Sequence, residues 1–168
     1  MGGNTLSSQD ETMNTPIPLI EQRVIEATIF GVAYKSLCAR MSQADALAAI
    51  RSTVDALAFE AGKAFARRAK NGVNFEHFGS ILESWQASGA LTIDKVAATA
   101  RELEFEVTRC AYVEKYREMG LPQELVSMIS CARDEPFAEG YSSKLRMERT
   151  QTLGEGAPSC RFRFTWRD

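Results

Sequence analysis

The sequence predicts an α+β fold, in which N-terminal helices pack on a four-stranded antiparallel sheet and further helices are inserted between two hairpins. Two observations carry this prediction. The first half of the chain repeats apolar residues at helical spacing, whereas later segments alternate apolar and polar residues with the period of strands. A block of helices next to antiparallel hairpins is typical of α+β domains.

The N-terminal half is predicted to be helical. Apolar residues at helical spacing predict a first helix over 19–41. Ser42 is a suitable N-cap for a second helix over 43–70, because its hydroxyl can accept from a backbone N–H of the first turn. Asn74 can cap a third helix in the same way, and we expect that helix to continue to residue 87.

The C-terminal half alternates strands with short helices. Its alternating segments have the period of half-buried strands, and Gly154–Pro158 has the composition of a turn between the last two. The predicted elements are strands over 91–96 and 103–108, helices over 112–119 and 121–129, and strands over 144–153 and 159–167.

Length and charge limit the possible partners. The chain has 168 residues, which we divide into a disordered tail over 1–16 and a single α+β domain over 17–168. A net charge of −2 argues against nucleic acid or an anionic membrane as a partner. The tail has no secretory signal, and no apolar run reaches the ~18–20 residues of a membrane helix. We therefore expect a cytoplasmic protein that binds a small molecule and needs no cofactor.

The four cysteines are Cys38, Cys110, Cys131 and Cys160, and none forms a CxxC pair. In a cytoplasmic protein this pattern predicts free thiols rather than a disulfide framework. Cys38 lies in an apolar helical pattern and is expected in the core. The other three could meet in space and bind a metal, but their separation excludes a zinc ribbon, and we predict no metal site.

Cys131 and Asp134 have two interpretations. A thiolate at Cys131 could attack an electrophilic carbon, and Asp134 could orient water or bind an amidinium group. Alternatively, Cys131 is a buried core residue and Asp134 caps a short segment over 135–139. Composition alone favours this second interpretation, because cysteine is among the most buried residue types.

Three ring-bearing side chains are further candidates. His77 is the only histidine, so a Cys–His catalytic pair would have to use it, although a lone histidine on an apolar helix is more often structural. Tyr112 and Tyr116 lie one helical turn apart and could line the same cavity. They could equally be core aromatics that each keep one polar end hydrated.

Arginines and hydroxyls accumulate on the last two predicted strands. An arginine fork binds a carboxylate in bidentate fashion, which suits Arg149, Arg161 or Arg163. The alternation of Arg161 and Arg163 with phenylalanines also fits a solvated sheet face. Thr150 and Thr152 would share one face of the predicted strand, so both hydroxyls could point at one ligand.

A series of short motifs over 17–164 carries a family resemblance. The motifs are Ile17–Glu21, the segment over 75–90, Arg109–Tyr112, Tyr116–Pro122, Ser130–Asp134, Arg149–Thr152, and Gly156 with Cys160–Arg163. Together they resemble the L-2-amino-thiazoline-4-carboxylic acid hydrolase family. The resemblance implies a hydrolase that uses water to open a C–N bond of a cyclic amidine-like carboxylate, giving a carbamoyl-cysteine.

The resemblance also implies roles for the marked positions. Cys131 would be the nucleophile or an acid/base, and Asp134 would hold the ring amino group or the water. An arginine would take the carboxylate. The residues assigned to substrate binding are Cys160, Thr150, Thr152, Arg149, Cys110, Tyr112 and Tyr116. Where the family is expected to read Cys-Asp-Phe-Arg, this chain has an arginine at position 161, so a functional acid there would be missing.

The order of the elements is similar, more faintly, to 4-vinyl-reductase sensor domains and their TRAPP transport-protein relatives. In the sensor domains a glutamate and cysteines near the last hairpin bind zinc, whereas the matching positions here are Arg149 and Thr152, which argues against zinc. This resemblance suggests a homodimer. It leaves open a non-catalytic small-molecule-binding module of the sensor type, or a dimeric scaffold subunit, beside the hydrolase.

Overall fold

The computed structural model describes residues 17–168, and the predicted tail over 1–16 lies outside the described residues. The helices are α1 (Leu19–Cys38), α2 (Gln43–Ala66), α3 (Phe75–Gly79), α4 (Ile81–Gln86), α5 (Ala111–Glu118), α6 (Gln123–Ile129) and α7 (Asp134–Tyr141). The strands are β1 (Leu91–Ala98), β2 (Glu102–Cys110), β3 (Leu145–Arg149) and β4 (Cys160–Trp166), in the sheet order β1-β2-β4-β3. The predicted α+β fold is confirmed, with helices before the antiparallel sheet and between its two hairpins.

One face of the sheet is apolar. Antiparallel pairing sets Phe105 of β2 opposite Phe162 of β4, and Val107 opposite Cys160. Directly paired residues lie on the same face, so these side chains form one layer. The rings of Phe105 and Phe162 stack with their centroids 4.8 Å apart. Cys160 is therefore fixed on the buried face of the sheet.

The core has two parts that meet near Cys110. The first part lies among α1, α2, α5 and α6 and includes Cys131. The second part lies between the sheet and the helices α3, α4 and α7, and it includes Cys160. Cys110, at the end of β2, packs against both parts. The three cysteines of the C-terminal half thus approach the boundary between the two parts.

Helices α2 and α7 cross with their backbones in contact. A Cβ atom added at Gly62 of α2 would lie 2.1 Å from the carbonyl oxygen of Phe137. A Cβ atom added at Gly140 of α7 would lie 2.1 Å from the carbonyl oxygen of Phe59. Only glycine fits at this distance. The crossing fixes α7, which begins at Asp134.

Helix α7 is longer than predicted, because the sequence indicated only a short segment over 135–139 capped by Asp134. Asp134 is instead the first helical residue, and its carboxylate does not cap the helix. The inserted helices between the hairpins are therefore α5, α6 and α7.

Several predicted elements are shorter than expected, and two of them depart most from the prediction. The helix over 74–87 divides into α3 and α4, because the Ser80 hydroxyl donates to the His77 carbonyl at 2.7 Å, a bond that bends helices. The strand over 144–153 ends at Arg149. Its continuation is replaced by a single helical turn, in which the Thr152 hydroxyl accepts from the Glu155 N–H at 3.1 Å.

The expected core position of Cys38 is wrong. Cys38 is exposed, because α1 ends there, one turn beyond Tyr34, the last buried residue of that helix. Within residues 17–168, no helix is long and apolar enough to cross a membrane.

We expect Gly62→Ala and Gly140→Ala each to lower the free energy of unfolding by about 1–3 kcal/mol or more, since the added methyl group forces the helices apart. Gly79→Ala is the matched control, because a Cβ atom there meets nothing within 4 Å. Urea unfolding of the three variants gives the comparison. A loss at Gly62 no larger than at Gly79 would contradict the close crossing.

Candidate functional site

A cavity of about 520 Å³ opens between the two parts of the core. This volume lies in the range of pockets that enclose small ligands. Aromatic and aliphatic side chains from both parts supply much of its wall. They are Phe65, Ile81, Trp85, Leu91, Phe105, Val107, Val113, Ile129, Phe137 and Phe162.

Cys110, Cys131 and Cys160 all line this cavity, so the structure brings together the three thiols that the sequence left apart. Cys131 lies in the turn between α6 and α7, and Cys160 lies at the start of β4. Both are buried. The cavity is thus the place where three distant parts of the chain present sulfur atoms.

The three thiols favour their protonated form. Burial raises the pKa of Cys110 to about 12 and that of Cys160 to about 11. The Leu153 N–H donates to the Cys160 sulfur at 3.1 Å and partly opposes this rise. Burial and the nearby Asp134 charge also raise the pKa of Cys131. At neutral pH these groups are proton donors rather than thiolates.

The Cys131 sulfur packs against the loop before β4. A Cβ atom added at Gly154 would lie 2.4 Å from this sulfur, so the loop backbone and the thiol are in close contact. Hydrogen bonds with Thr152 and with the Gly154 backbone lower the pKa of Cys131, against the larger effect of burial. The loop therefore holds the thiol in one position.

Asp134 and Arg149 form an ion pair at the cavity wall. The Arg149 guanidinium also lies over the Phe162 ring, 5.3 Å from its centroid, which holds the cation against the sheet. Burial raises the pKa of Asp134 to about 6, and Arg149 limits this rise. A carboxyl group with this pKa can accept and release a proton near neutral pH, as a general base must.

Both predicted tyrosines line the cavity, but the two threonines do not. The Tyr112 hydroxyl is buried and has no hydrogen-bond partner among residues 17–168. The Tyr116 hydroxyl donates to the Arg23 carbonyl at 3.3 Å. Thr150 is exposed, and the buried Thr152 donates to Glu155 at 2.8 Å, because the strand that would have aligned them ends at Arg149.

His77 lies outside the cavity lining. Its Nδ1 atom is 3.0 Å from the Tyr141 hydroxyl, and its ring stacks on Phe65 with centroids 4.5 Å apart. These contacts give the lone histidine a structural role, and it forms no pair with a cysteine. In the described part of the chain, no group of three or more His, Cys, Asp or Glu residues is arranged to hold a metal ion.

The arginine at position 161 replaces the acid expected from the family motif. It is exposed and lies outside the cavity lining, with its Nε atom 3.5 Å from Glu106. Its neighbour Phe162 points into the cavity, so residue 161 faces the other side of the sheet. Arg163 is also exposed and lies 3.4 Å from Glu148, as a solvated face predicts.

Sequence reasoning did not propose three further cavity arginines, Arg23 of α1, the exposed Arg68 and Arg133. Arg133 is buried and lies inside the motif Ser130–Asp134. That motif could have pointed to it. No such motif contains Arg23, which lies in a long helix far along the chain from the other site residues.

The fold is similar to that of the phenol-responsive sensory domain of the transcription activator PoxR, solved as a crystal structure with phenol. The TM-score is 0.53 at 17% sequence identity, and the alignment covers 91% of this chain and 77% of that chain. At this identity the similarity concerns the fold alone. None of the proteins with curated descriptions is similar enough to match the sequence.

The sequence model that describes L-2-amino-thiazoline-4-carboxylic acid hydrolases matches residues 22–164. The match includes β1 to β3, most of β4, the inserted helices and every cysteine. Most of the described domain therefore follows the pattern of that family, and the chain belongs to the L-2-amino-thiazoline-4-carboxylic acid hydrolase family.

Proposed function

We propose that the protein is a hydrolase that opens a C–N bond in a small cyclic amidine-like carboxylate such as 2-amino-thiazoline-4-carboxylate. One observation carries this proposal. Asp134, whose pKa is raised to about 6, stands beside the buried Cys131 thiol at the wall of a cavity suited to a small ligand. Membership of the family supports the substrate class.

Asp134 acts as the general base. In its carboxylate form it removes a proton from water as the water oxygen bonds to the amidine carbon between the two nitrogens and the sulfur. The Arg149 guanidinium keeps the carboxylate at the cavity wall and in a fixed orientation. Asp134 then holds the proton until the ring opens.

Cys131 acts as a proton donor. The thiol gives its proton to the ring nitrogen as water adds to the amidine carbon and the C=N electron pair moves to that nitrogen. The bond between the amidine carbon and the ring nitrogen then breaks, its electron pair moves to nitrogen, and the nitrogen takes the proton held by Asp134. The hydroxyl on the amidine carbon becomes the carbonyl as its proton passes to the Cys131 thiolate, so both side chains return to their starting forms. Burial keeps the Cys131 thiol protonated, which suits a donor better than a resting thiolate nucleophile. The product of this cleavage carries the carbamoyl group on sulfur.

The second candidate is a non-catalytic small-molecule-binding module. The aromatic cavity wall and the unpartnered Tyr112 hydroxyl favour it, because together they suit an aromatic ring with one polar substituent. The PoxR sensory domain, which has a similar fold, responds to phenol. A module of this kind needs no proton transfer and tolerates Cys131→Ser.

A homodimer and a cytoplasmic location remain part of this proposal. Ile25, Ile29 and Val32 form an exposed apolar stripe on α1, which offers one surface for a second copy. Light scattering of the purified chain gives its mass in solution, and a monomer at micromolar concentration argues against the dimer.

Wild-type protein is expected to convert 2-amino-thiazoline-4-carboxylate, and Cys131→Ala and Asp134→Ala each to lower kcat by about 100-fold or more, the usual contribution of a general acid or base. Cys38→Ala is the control and keeps full activity, since that thiol is exposed at the end of α1. Mass spectrometry follows the carbamoyl-cysteine product, and a thiol reagent reports which bond breaks. Cleavage at nitrogen releases no thiol, whereas cleavage at sulfur releases one.

Each other outcome of this experiment has a defined meaning. Folded wild type that binds the substrate without turnover supports the binding module. Full activity in Cys131→Ala removes that thiol from the mechanism, and full activity in Asp134→Ala removes the general base.

The stability of wild type relative to Asp134→Asn is expected to fall as pH rises from 4 to 7. The pKa of Asp134 is raised from its ordinary value of about 4 to about 6 on folding, so the folded state binds this proton more tightly. The contribution of Asp134 protonation to the free energy of unfolding is complete below about pH 4 and is lost as pH passes 6. The free energy of unfolding then changes by on the order of 1–3 kcal/mol. Urea unfolding of both proteins at each pH gives the difference between their free energies of unfolding. A difference that stays constant with pH would refute the raised pKa of Asp134.

A further inference from the structure

Two arginines of the cavity share one carboxylate. Arg23 donates from Nη1 to both oxygens of Glu26 at 2.7 Å. Arg133 donates from its own Nη1 to Glu26 Oε2 at 3.2 Å. The two guanidinium groups thus contact the same carboxylate oxygen, although Arg23 and Glu26 belong to α1 and Arg133 precedes α7. This cluster, Arg23–Glu26–Arg133, has two positive charges and one negative charge.

The excess charge is partly buried. The side chains of Arg133 and Arg23 are only 11% and 19% exposed. Arg133 carries five N–H donors, of which one forms a hydrogen bond to a side chain of the described residues. Burial and the neighbouring Arg23 charge lower its pKa, yet a guanidinium stays protonated at neutral pH. A buried charge without a counterion is costly, so this cluster favours binding of an anion.

The rest of the cavity lining supplies no counterion. Among the described residues, Asp134 is the one acidic side chain that lines the cavity, and it is already paired with Arg149. Four arginines line the same cavity, the largely buried Arg23, Arg133 and Arg149 and the exposed Arg68, whose charge is solvated. The unpartnered Tyr112 hydroxyl is close enough for the Arg23 charge to affect its pKa, which burial raises to about 12. The neutral Tyr112 hydroxyl is therefore a hydrogen-bond donor near the excess positive charge of the cluster.

We propose that Arg133 and Arg23, assisted by the Tyr112 hydroxyl, bind the carboxylate of a singly charged ligand, and that Arg149 does not. Arg149 instead orients Asp134. This assignment deepens the proposed function and rests on its cavity, because it names the side chains that take the carboxylate. It applies equally to a ligand that binds without reacting.

The position of Arg133 links recognition to chemistry. Arg133 lies between Cys131 and Asp134 in the chain, and all three line the cavity. A carboxylate held at Arg133 brings the attached ring towards the thiol and the carboxyl group. The remaining apolar wall then faces the uncharged part of the ligand, so the geometry points to small amphipathic carboxylates as the ligand class.

The test compares acids with their amides. Isothermal titration of the full chain uses 2-amino-thiazoline-4-carboxylate and its carboxamide, and benzoate and benzamide, at constant ionic strength. We expect wild type to prefer the acid of at least one pair. Arg133→Met is expected to weaken binding of that acid by about 10- to 100-fold, as loss of a charge-assisted hydrogen bond does, and to leave amide binding unchanged.

Stability distinguishes a binding role from a structural one. Arg133→Met removes the excess charge and leaves Glu26 paired with Arg23, so its melting temperature without ligand is expected to be unchanged or higher. Arg149→Met leaves Asp134 unpaired and is expected to lower the melting temperature. Arg146→Met is the control for both measurements, because Arg146 is exposed on β3.

Three outcomes would overturn the assignment. They are no preference for either acid in wild type, an unchanged preference in Arg133→Met, and a preference lost in Arg149→Met but kept in Arg133→Met. If Arg133→Met does not fold, Arg23→Met is titrated in its place, and unchanged acid binding there has the same meaning. Wild type that binds the acid without turning it over removes the hydrolase proposal and leaves this assignment intact.

Discussion

The contact between α2 and α7 is the constraint on which the site depends. Gly62 and Gly140 let the two helices approach until a hydrogen atom is all that fits between a Cα atom and the opposite carbonyl. Helix α7 is only eight residues long, too short to be stable by itself, so its position comes from this packing. Because α7 begins at Asp134, the crossing also sets where the preceding turn presents Cys131 and Arg133.

The less exposed charges at the cavity form two groups with different properties. Asp134 and Arg149 balance each other, and the arginine also lies over the Phe162 ring. The cluster Arg23–Glu26–Arg133 is unbalanced and attracts an anion. The turn between α6 and α7 and the first residue of α7 contribute to both groups, since they carry Arg133 and Asp134.

The sequence predicted the fold because hydrophobic period is a local property. Helical spacing in α1 and α2 and alternation in β1, β2 and β4 identified these elements. Helix α7 was underestimated, since Pro136 and Gly140 are poor helix formers and the helix depends on contact with α2. The motif around Cys131 is a local sequence pattern and could be recognised without the structure. The approach of Cys110, Cys131 and Cys160 depends instead on how the two parts of the core pack together. Arg23 could not be found, because only packing brings α1 to the cavity.

The protonated state of the cavity thiols affects how the protein meets oxidants. Oxidation and alkylation of cysteine proceed through the thiolate, which burial disfavours at Cys110, Cys131 and Cys160. Cys38 is exposed and lies apart from the cavity, so it is the thiol that reagents reach first. Brief oxidative stress or a labelling reagent therefore modifies Cys38 at the end of α1 and leaves the sulfur atoms of the cavity in their reduced form.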